Sequence, residues 1–262
     1  MIFRMDDEKT SLLSAAIKYS IPVLLGYLAI GFAFGLLMED AGYPMWLTTL
    51  MSVLMYAGAG QYIAVGLFSA GTTLWEAALV QLVVNARHIA YGLSMIKRLP
   101  PADSSGKFRY KIRRAYCIFG LTDETFALLS SLPEDDGGMI HIPGISCPIP
   151  AAGRSLFMFI VTLMDHIYWI TGSLLGSIAG SLISFSIEGI SFALTALFIV
   201  LMLEQFFRIR KPVRFSSVSV FIVSAAAAVL GVFFLPSGIS LLSAITLALA
   251  VSSLLYKKEA AQ

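Results

Sequence analysis

Apolar residues in this chain come in long runs, and polar residues gather between them. Eight runs can be drawn, at residues 17–38, 45–70, 74–96, 115–132, 156–187, 190–207, 215–235 and 239–256. About 20 apolar residues suffice for a helix to cross the hydrocarbon of a bilayer. The pattern therefore predicts an all-α polytopic membrane protein with seven to eight apolar segments. The fourth run is the weakest, because it is short and carries Asp123 and Glu124 near its middle. The fifth is too long for one straight span, and Asp165-His166 could mark its start or a break.

Two of these runs are interrupted at depth. In the second, Tyr56-Ala57-Gly58-Ala59-Gly60-Gln61-Tyr62 places two glycines and an uncharged amide among apolar residues. In the third, Asn85-Ala86-Arg87-His88 does the same with an amide, a guanidinium and an imidazole. Hydrocarbon solvates none of these groups, so each must face protein, water or a ligand. Pro22 and Pro44 lie near segment starts, where proline is tolerated because its missing N–H would be unpaired anyway.

Composition supports the pattern. The chain has 262 residues, 58% hydrophobic and 13% charged, with mean hydropathy +0.83. Soluble domains are nearer a quarter charged. Residues 1–10 mix both signs of charge and the first run exceeds a signal-peptide core, so no cleavable signal is expected. Cys117 and Cys147 have no paired spacing with His88, His141 or His166. No metal site, disulfide framework or cofactor is expected. No Gly-rich phosphate loop lies outside the apolar runs, and neither an ATPase motor nor a nucleic-acid partner is expected.

Charge distribution suggests sidedness. Residues 97–114 hold Lys97, Arg98, Lys107, Arg109, Lys111, Arg113 and Arg114 against Asp103 alone, whereas residues 133–150 hold Glu134, Asp135 and Asp136 and no Lys or Arg. The positive-inside rule makes the first loop cytoplasmic, together with residues 208–214 and Lys257-Lys258. Three segments lie between the two basic stretches, so one must not span fully. The fourth is expected to be re-entrant or broken, which puts the N-terminus outside and the C-terminus inside.

A weak internal repeat is also legible in a single domain spanning 1–262. Gly31-x-x-x-Gly35 is echoed by Gly176-x-x-x-Gly180, followed by Gly42 and Gly189, Val53-Leu54-Met55 and Val200-Leu201-Met202, then Gln61 and Gln205. The halves would be 17–96 and 156–235. With the charge-derived topology they enter from opposite sides, an inverted repeat of the kind common among transporters. Chance among Gly- and Leu-rich helices is the alternative.

Four constellations could carry chemistry. Gly58 and Gly60 each weaken a helix by about 1 kcal/mol relative to alanine. Unwound backbone there, with the Gln61 amide, could hold a zwitterion; close helix packing through small residues is the bland reading. Arg87 would pair with an acid or an anionic substrate, or snorkel to the interface. Asn85 lies on another face, and His88 could titrate near neutrality or bond to a neighbouring helix. Asp123 and Glu124, in Thr122-Asp123-Glu124-Thr125, could carry a proton, pair with Arg87, or sit wet at the interface. Tyr168-Trp169 suits a membrane–water boundary, and Asp165 could cap the following helix.

In this order, these residues resemble one family. The carrying features are Pro22 with Gly31-Phe32-Ala33-Phe34-Gly35, the Tyr56–Tyr62 stretch, Asn85-Ala86-Arg87-His88 with Tyr91, and Thr122-Asp123-Glu124-Thr125-Phe126-Ala127. The Trp169–Gly180 and Phe192–Gln205 stretches add to them, and about 17–255 is covered. The chain resembles the AzlC-type large subunit of branched-chain amino-acid permeases. Ala86 stands where that family often has leucine, and Asp165-His166-Ile167-Tyr168-Trp169 departs from its usual asparagine-tyrosine before the tryptophan.

The resemblance implies a secondary transporter, not an enzyme, that exports valine, leucine or isoleucine across the prokaryotic cytoplasmic membrane. It also implies a small hydrophobic partner of the AzlD type. The expected substrate site is Gly58, Gly60, Gln61, Asn85 and Arg87, with Asp123, Glu124 and His88 for proton coupling or ion pairing, and Phe34 or Tyr62 lining an aliphatic pocket. A channel or pore for a small polar solute is the alternative.

Overall fold

The computed structural model describes residues 2–99, 108–133, 139–142, 149–150 and 153–182, with isolated positions 199, 222, 223, 226 and 230. The sixth to eighth apolar segments, the second copy's Gly189, Val200–Met202 and Gln205, and both basic stretches near the C-terminus fall outside the described residues or nearly so. The chain forms two compact units, Met1–Val65 with Asn85–Ser191, and Gly66–Val84 with Phe192–Gln262.

Eight helices are described: α1 Ile2–Asp40, α2 Met45–Leu54, α3 Gly58–Ser69, α4 Leu74–Val84, α5 Ala86–Met95, α6 Phe108–Phe119, α7 Asp123–Ser130 and α8 Arg154–Leu182. One antiparallel pair of two-residue strands, β1 Met139–Ile140 and β2 Ile149–Pro150, departs from the all-α expectation. Within α1 and α8, Ser11–Asp40 and Arg154–Leu182 are long and apolar enough to cross a membrane. At 1.5 Å per residue, a 30-residue helix is about 45 Å long.

Local chemistry sets the helix ends. Gly42 has φ +78°, its N–H bonds to the Glu39 carbonyl, and the Tyr43 N–H reaches back to Met38. That is a Schellman stop, and Pro44 then starts the next helix at N-cap. Gly71, in the second unit, ends α3 the same way, with bonds from Gly71 to Phe68 and from Thr72 to Leu67. Thr73 and Glu76 exchange side chain-to-backbone bonds at the start of α4, a capping box. Pro22 is not near a helix start: α1 begins at Ile2, so the proline is interior and leaves a carbonyl one turn back without its usual donor.

The first unit is built on α1 and α8. Contacts pair Leu12 with Gly153, Tyr19 with Phe157, Gly31 with Gly172 and Ser173, Gly35 with Gly176 and Ser177, and Gly180 with Glu39. Both numbers rise together, so the two helices run parallel. A Cβ on Gly31 would lie 3.0 Å from the Trp169 carbonyl oxygen, and one on Gly172 2.9 Å from that of Tyr27. Small residues thus let the backbones touch. The glycines expected to be echoes of one another are in part partners, with Gly172 added. Their helices are parallel, which differs from the inverted arrangement expected for these two arms.

Among the described residues three apolar segments are interrupted, where one was expected not to span. The second breaks at Met55–Ala57, one turn before the expected site, with Gly58 and Gly60 inside the restarted helix. The third breaks at Asn85, and the fourth at Gly120–Thr122. The fourth is a hairpin. Against α5, Arg114 reaches Ile96 and Ile118 lies by Gly92, whereas Tyr91 stacks on Phe126 and Arg98 bonds to Ser130. α6 therefore runs antiparallel to α5 and α7 parallel to it. At about 18 and 12 Å, neither arm could cross a core of about 30 Å.

The second segment folds back too. Ser52 meets Ser173 and Tyr56 stacks on His166, so α2 runs antiparallel to α8. Then Tyr56 touches Tyr27, while Tyr62 bonds to Ile30 and packs on Phe34, so the first turns of α3 return along α1. With two folded-back segments, the start of α1 shares an end with the close of α5. Leu12, Ala15 and Ala16 join Met95, Leu99, Leu132, Ile149 and Phe157 in one core. The N-terminus was expected on the side opposite the 97–114 loop; it lies on the same side.

Gly120 sits at the tip of the α6–α7 hairpin, where a Cβ would fall 2.3 Å from Thr162 Cγ2. Gly120→Ala should cost about 1–3 kcal/mol by overpacking. Gly92→Ala, whose Cβ has only Ile118 Cγ2 at 3.9 Å, should not destabilise. Thermal unfolding of the detergent-solubilised variants checks both.

Candidate functional site at the helix breaks

The breaks at Met55–Ala57 and Gly120–Thr122 meet between α1 and α8. A Cβ on Gly120 would lie 3.7 Å from the Tyr56 ring, and Tyr27 bonds to Thr122. Helices that stop in mid-segment leave backbone polar groups and dipole ends facing inward, which is tolerated at depth only where protein or a cavity satisfies them.

Gln61 and Asp165 are wholly buried, and Trp169 nearly so. Both amide atoms of Gln61, the Asp165 Oδ1 and the Trp169 Nε1 have no hydrogen-bond partner. A buried polar atom left unmatched costs about 1–3 kcal/mol, so a cluster of them marks a place meant for something else to bond. Aromatic rings wall this region. Trp169 stacks on Phe34 at 6.2 Å and meets Tyr27 edge-on at 5.6 Å, and Phe34 packs on Tyr62. A Cβ on Gly58 would lie 2.9 Å from the Trp169 ring, so only glycine lets α3 start this close.

A run of hydroxyls joins two carboxyls. Tyr27 donates to Glu124 Oε2 at 2.8 Å and contacts Thr122 Oγ1; Thr122 donates to Thr125 at 3.0 Å; Thr125 donates to Asp165 Oδ2 at 2.9 Å. Thr122 is also the N-cap of α7, accepting the Thr125 N–H at 3.2 Å. This local cap explains why the helix restarts there.

His166 lies beside the carboxyl. Its Nε2 is 3.0 Å from the Ser52 carbonyl, which only accepts, so that nitrogen carries the proton. Nδ1 then accepts from the Tyr116 hydroxyl at 2.8 Å, and Tyr56 stacks on the ring at 4.2 Å. The imidazole thereby ties together α2, α6 and α8.

The third break supplies an ion pair. Arg87 bonds to Asp123 Oδ2, and Tyr91 donates to Oδ1 of the same carboxylate at 2.7 Å. Asn85 is the N-cap of α5 without a side-chain cap bond, and His88 Nδ1 is 3.2 Å from its carbonyl. The structure therefore separates the expected residues. Gly58, Gly60 and Gln61 line the aromatic region; Glu124 belongs to the hydroxyl run; Arg87 and Asp123 join α5 to α7, with Asn85 and His88 at the start of α5. Among the described residues no cluster of three or more metal-ligating side chains occurs.

Asp165 and Trp169, expected as a helix cap and a boundary residue, join Thr125 and Tyr27 in the site. Asp165 does not cap a helix, because α8 runs through it, and Trp169 is not at a boundary but buried. A signal existed. Ser155, Met158, Thr162, Asp165, Trp169, Gly172 and Gly176 recur at helical spacing, and all are buried.

Broken helices around a buried polar site, beside two helices long and apolar enough to cross a membrane, fit the class of helical membrane proteins. The AzlC protein family model matches residues 22–183, which contain every site residue named above. The chain belongs to the AzlC family. It is 39% identical over 193 residues to an uncharacterized membrane protein of Helicobacter pylori, covering 74% of this chain and 75% of that one. It is 31% identical over 236 residues to the branched-chain amino acid transport protein AzlC of Bacillus subtilis, covering 88% and 83%. The inner membrane protein YgaZ of Escherichia coli matches at 36% over 110 residues, 42% of each chain. No solved structure matches.

Proposed function

We propose that this chain is a secondary transporter that carries branched-chain amino acids out across the cytoplasmic membrane, as the large subunit of a permease with a small hydrophobic AzlD-type partner. The observation that carries the reading is the wholly buried, unpartnered amide of Gln61 at the start of a half-helix. Support comes from the Bacillus subtilis relative, a branched-chain amino acid transport protein.

A zwitterion must exchange its water for equivalent bonds to cross hydrocarbon. The N-terminal end of α3 favours a carboxylate, and the Gln61 NH₂ adds a donor. The Ala57 carbonyl takes the Gln61 N–H, which leaves the Met55 and Tyr56 carbonyls as the candidates for the ammonium. Phe34, Tyr62 and Trp169 offer an apolar wall to an aliphatic side chain. Arg87 is engaged by Asp123, so in this reading it holds α5 to α7 instead of binding substrate. With the Lys97–Arg114 side cytoplasmic, the N-terminus is cytoplasmic as well, and the two hairpins enter from opposite faces.

The test uses proteoliposomes holding the chain and its partner, loaded with labelled leucine. Wild type should release leucine, and Gln61→Ala should lower efflux by about tenfold or more, the cost of one buried hydrogen bond at about 1.4 kcal/mol or above. Wild-type-like efflux from Gln61→Ala would sink the site, and no efflux from wild type would sink the activity.

A further inference from the structure

The hydroxyl run between Glu124 and Asp165 links two carboxyls across α1, α7 and α8. Four hydrogen bonds in series, through Tyr27, Thr122 and Thr125, connect a half-buried carboxyl to a wholly buried one. We propose that this run is a proton wire, and that Asp165 is the buried proton acceptor that couples transport to the proton gradient. The proposal rests on the transporter reading above and names its coupling ion and pathway.

The chemistry balances with one proton. When Glu124 holds it, the carboxyl O–H donates to Tyr27, Tyr27 to Thr122, Thr122 to Thr125, and Thr125 to the Asp165 carboxylate. Each O–H bond then breaks as the next forms. The proton leaves Glu124 as carboxylate and arrives on Asp165 as carboxyl, while every hydroxyl keeps one hydrogen and reverses direction. In the structure Thr122 and Thr125 point toward Asp165, as in the state with Asp165 ionised, while Tyr27 donates to Glu124; protonation of Glu124 turns the Tyr27 hydroxyl to Thr122 and completes the run.

Charge accounting favours Asp165 as the end of the wire. A wholly buried carboxyl is stable when it is neutral or when it meets a cation. Its Oδ1 has no partner, and its Oδ2 has only a hydroxyl. The titratable groups that face it are Tyr56 from the α2–α3 break, Tyr27 from α1, Glu124 from α7 and its neighbour His166, whose two nitrogens are already bonded. Arg87, the cation of α5, is spent on Asp123. Protonation and deprotonation of Asp165 would therefore switch an uncompensated charge at the junction of α1, α7, α8 and the α2–α3 break. Such a switch biases one packing of these elements over another.

Thr125→Val removes the hydroxyl link while keeping the shape, and Thr125→Ser restores the link. In proteoliposomes with the partner, leucine counterflow, which needs no net proton movement, should stay within about twofold of wild type in both variants. Net efflux driven by an imposed pH gradient should fall about tenfold or more in Thr125→Val and recover in Thr125→Ser. Equal gradient-driven transport by Thr125→Val and wild type would overturn the wire. Loss of both modes in Thr125→Val with recovery in Thr125→Ser would also overturn it, because the hydroxyl would then serve binding. Infrared difference spectra across a pH step provide a readout independent of transport. Wild type should show a carboxyl band that Asp165→Asn removes, and its persistence in Asp165→Asn would exclude Asp165 as the acceptor. If wild type shows no counterflow at all, the transporter reading fails, while the infrared result still decides the wire.

Discussion

Replacing Gly35 or Gly176 with leucine should remove the folded protein from the membrane. A Cβ on Gly35 would lie 2.1 Å from the Ser173 carbonyl oxygen, and one on Gly176 2.0 Å from that of Phe32. Both obstacles are backbone, so no rotamer change relieves them. The helices must separate, and the Trp169 and Asp165 face of α8 would then leave Tyr27 and Thr125. Overpacking ordinarily costs about 1–3 kcal/mol, and a clash with backbone along a helix pair belongs at the upper end or beyond. That is a large share of a typical stability of about 5–15 kcal/mol. Even alanine should be harmful at these positions. Gly26→Ala supplies the control, because nothing lies within 4 Å of its would-be Cβ. Fluorescence-detected gel filtration and thermal unfolding would read the difference. A Gly35→Leu protein as stable as Gly26→Ala would refute the parallel glycine contact.

Arg87→Ala is the second large effect. It strands Asp123 with only the Tyr91 hydroxyl, in a setting where the carboxylate side chain is 17% exposed. Breaking a fully buried pair costs about 3–5 kcal/mol; with Arg87 32% exposed, about 2 kcal/mol is the better expectation. Arg87→Met with Asp123→Leu should recover most of the loss, because no charge is then left unpaired. Unfolding midpoints of the single and double variants give the coupling energy. Were Arg87 instead a substrate ligand, the double variant would be stable yet as inactive in leucine counterflow as Arg87→Ala.

These two results probe different layers of what was readable. The glycines were visible, and so was their spacing, but Gly31 and Gly35 pair with Gly172 and Gly176 through space. Spacing along one helix says which residues share a face, not which face it meets. For the ion pair the sequence offered Asp123 or Glu124 as the partner of Arg87, and the structure pairs Arg87 with Asp123. Asp123 and Arg87 are separated by 35 intervening residues and a basic loop, and only the antiparallel and parallel packing of α6 and α7 on α5 brings them together. Next to Tyr168 and Trp169 along the chain, Asp165 reads as a boundary residue; its turn-related neighbours Thr162, Trp169 and Gly172 are buried with it.

Sequence alone determined the membrane-helical class, the fragile points at Tyr56–Gln61, Asn85–His88 and Thr122–Thr125, and the family. Those follow from what hydrocarbon excludes and where glycine or a polar side chain weakens a helix, and both are local. Tertiary structure decided that the second and fourth segments fold back, that the N-terminus shares a side with the basic loop, and that Glu124 and Asp165 are joined through three hydroxyls. Those depend on the directions in which helices run past one another, and direction is set by packing between distant segments.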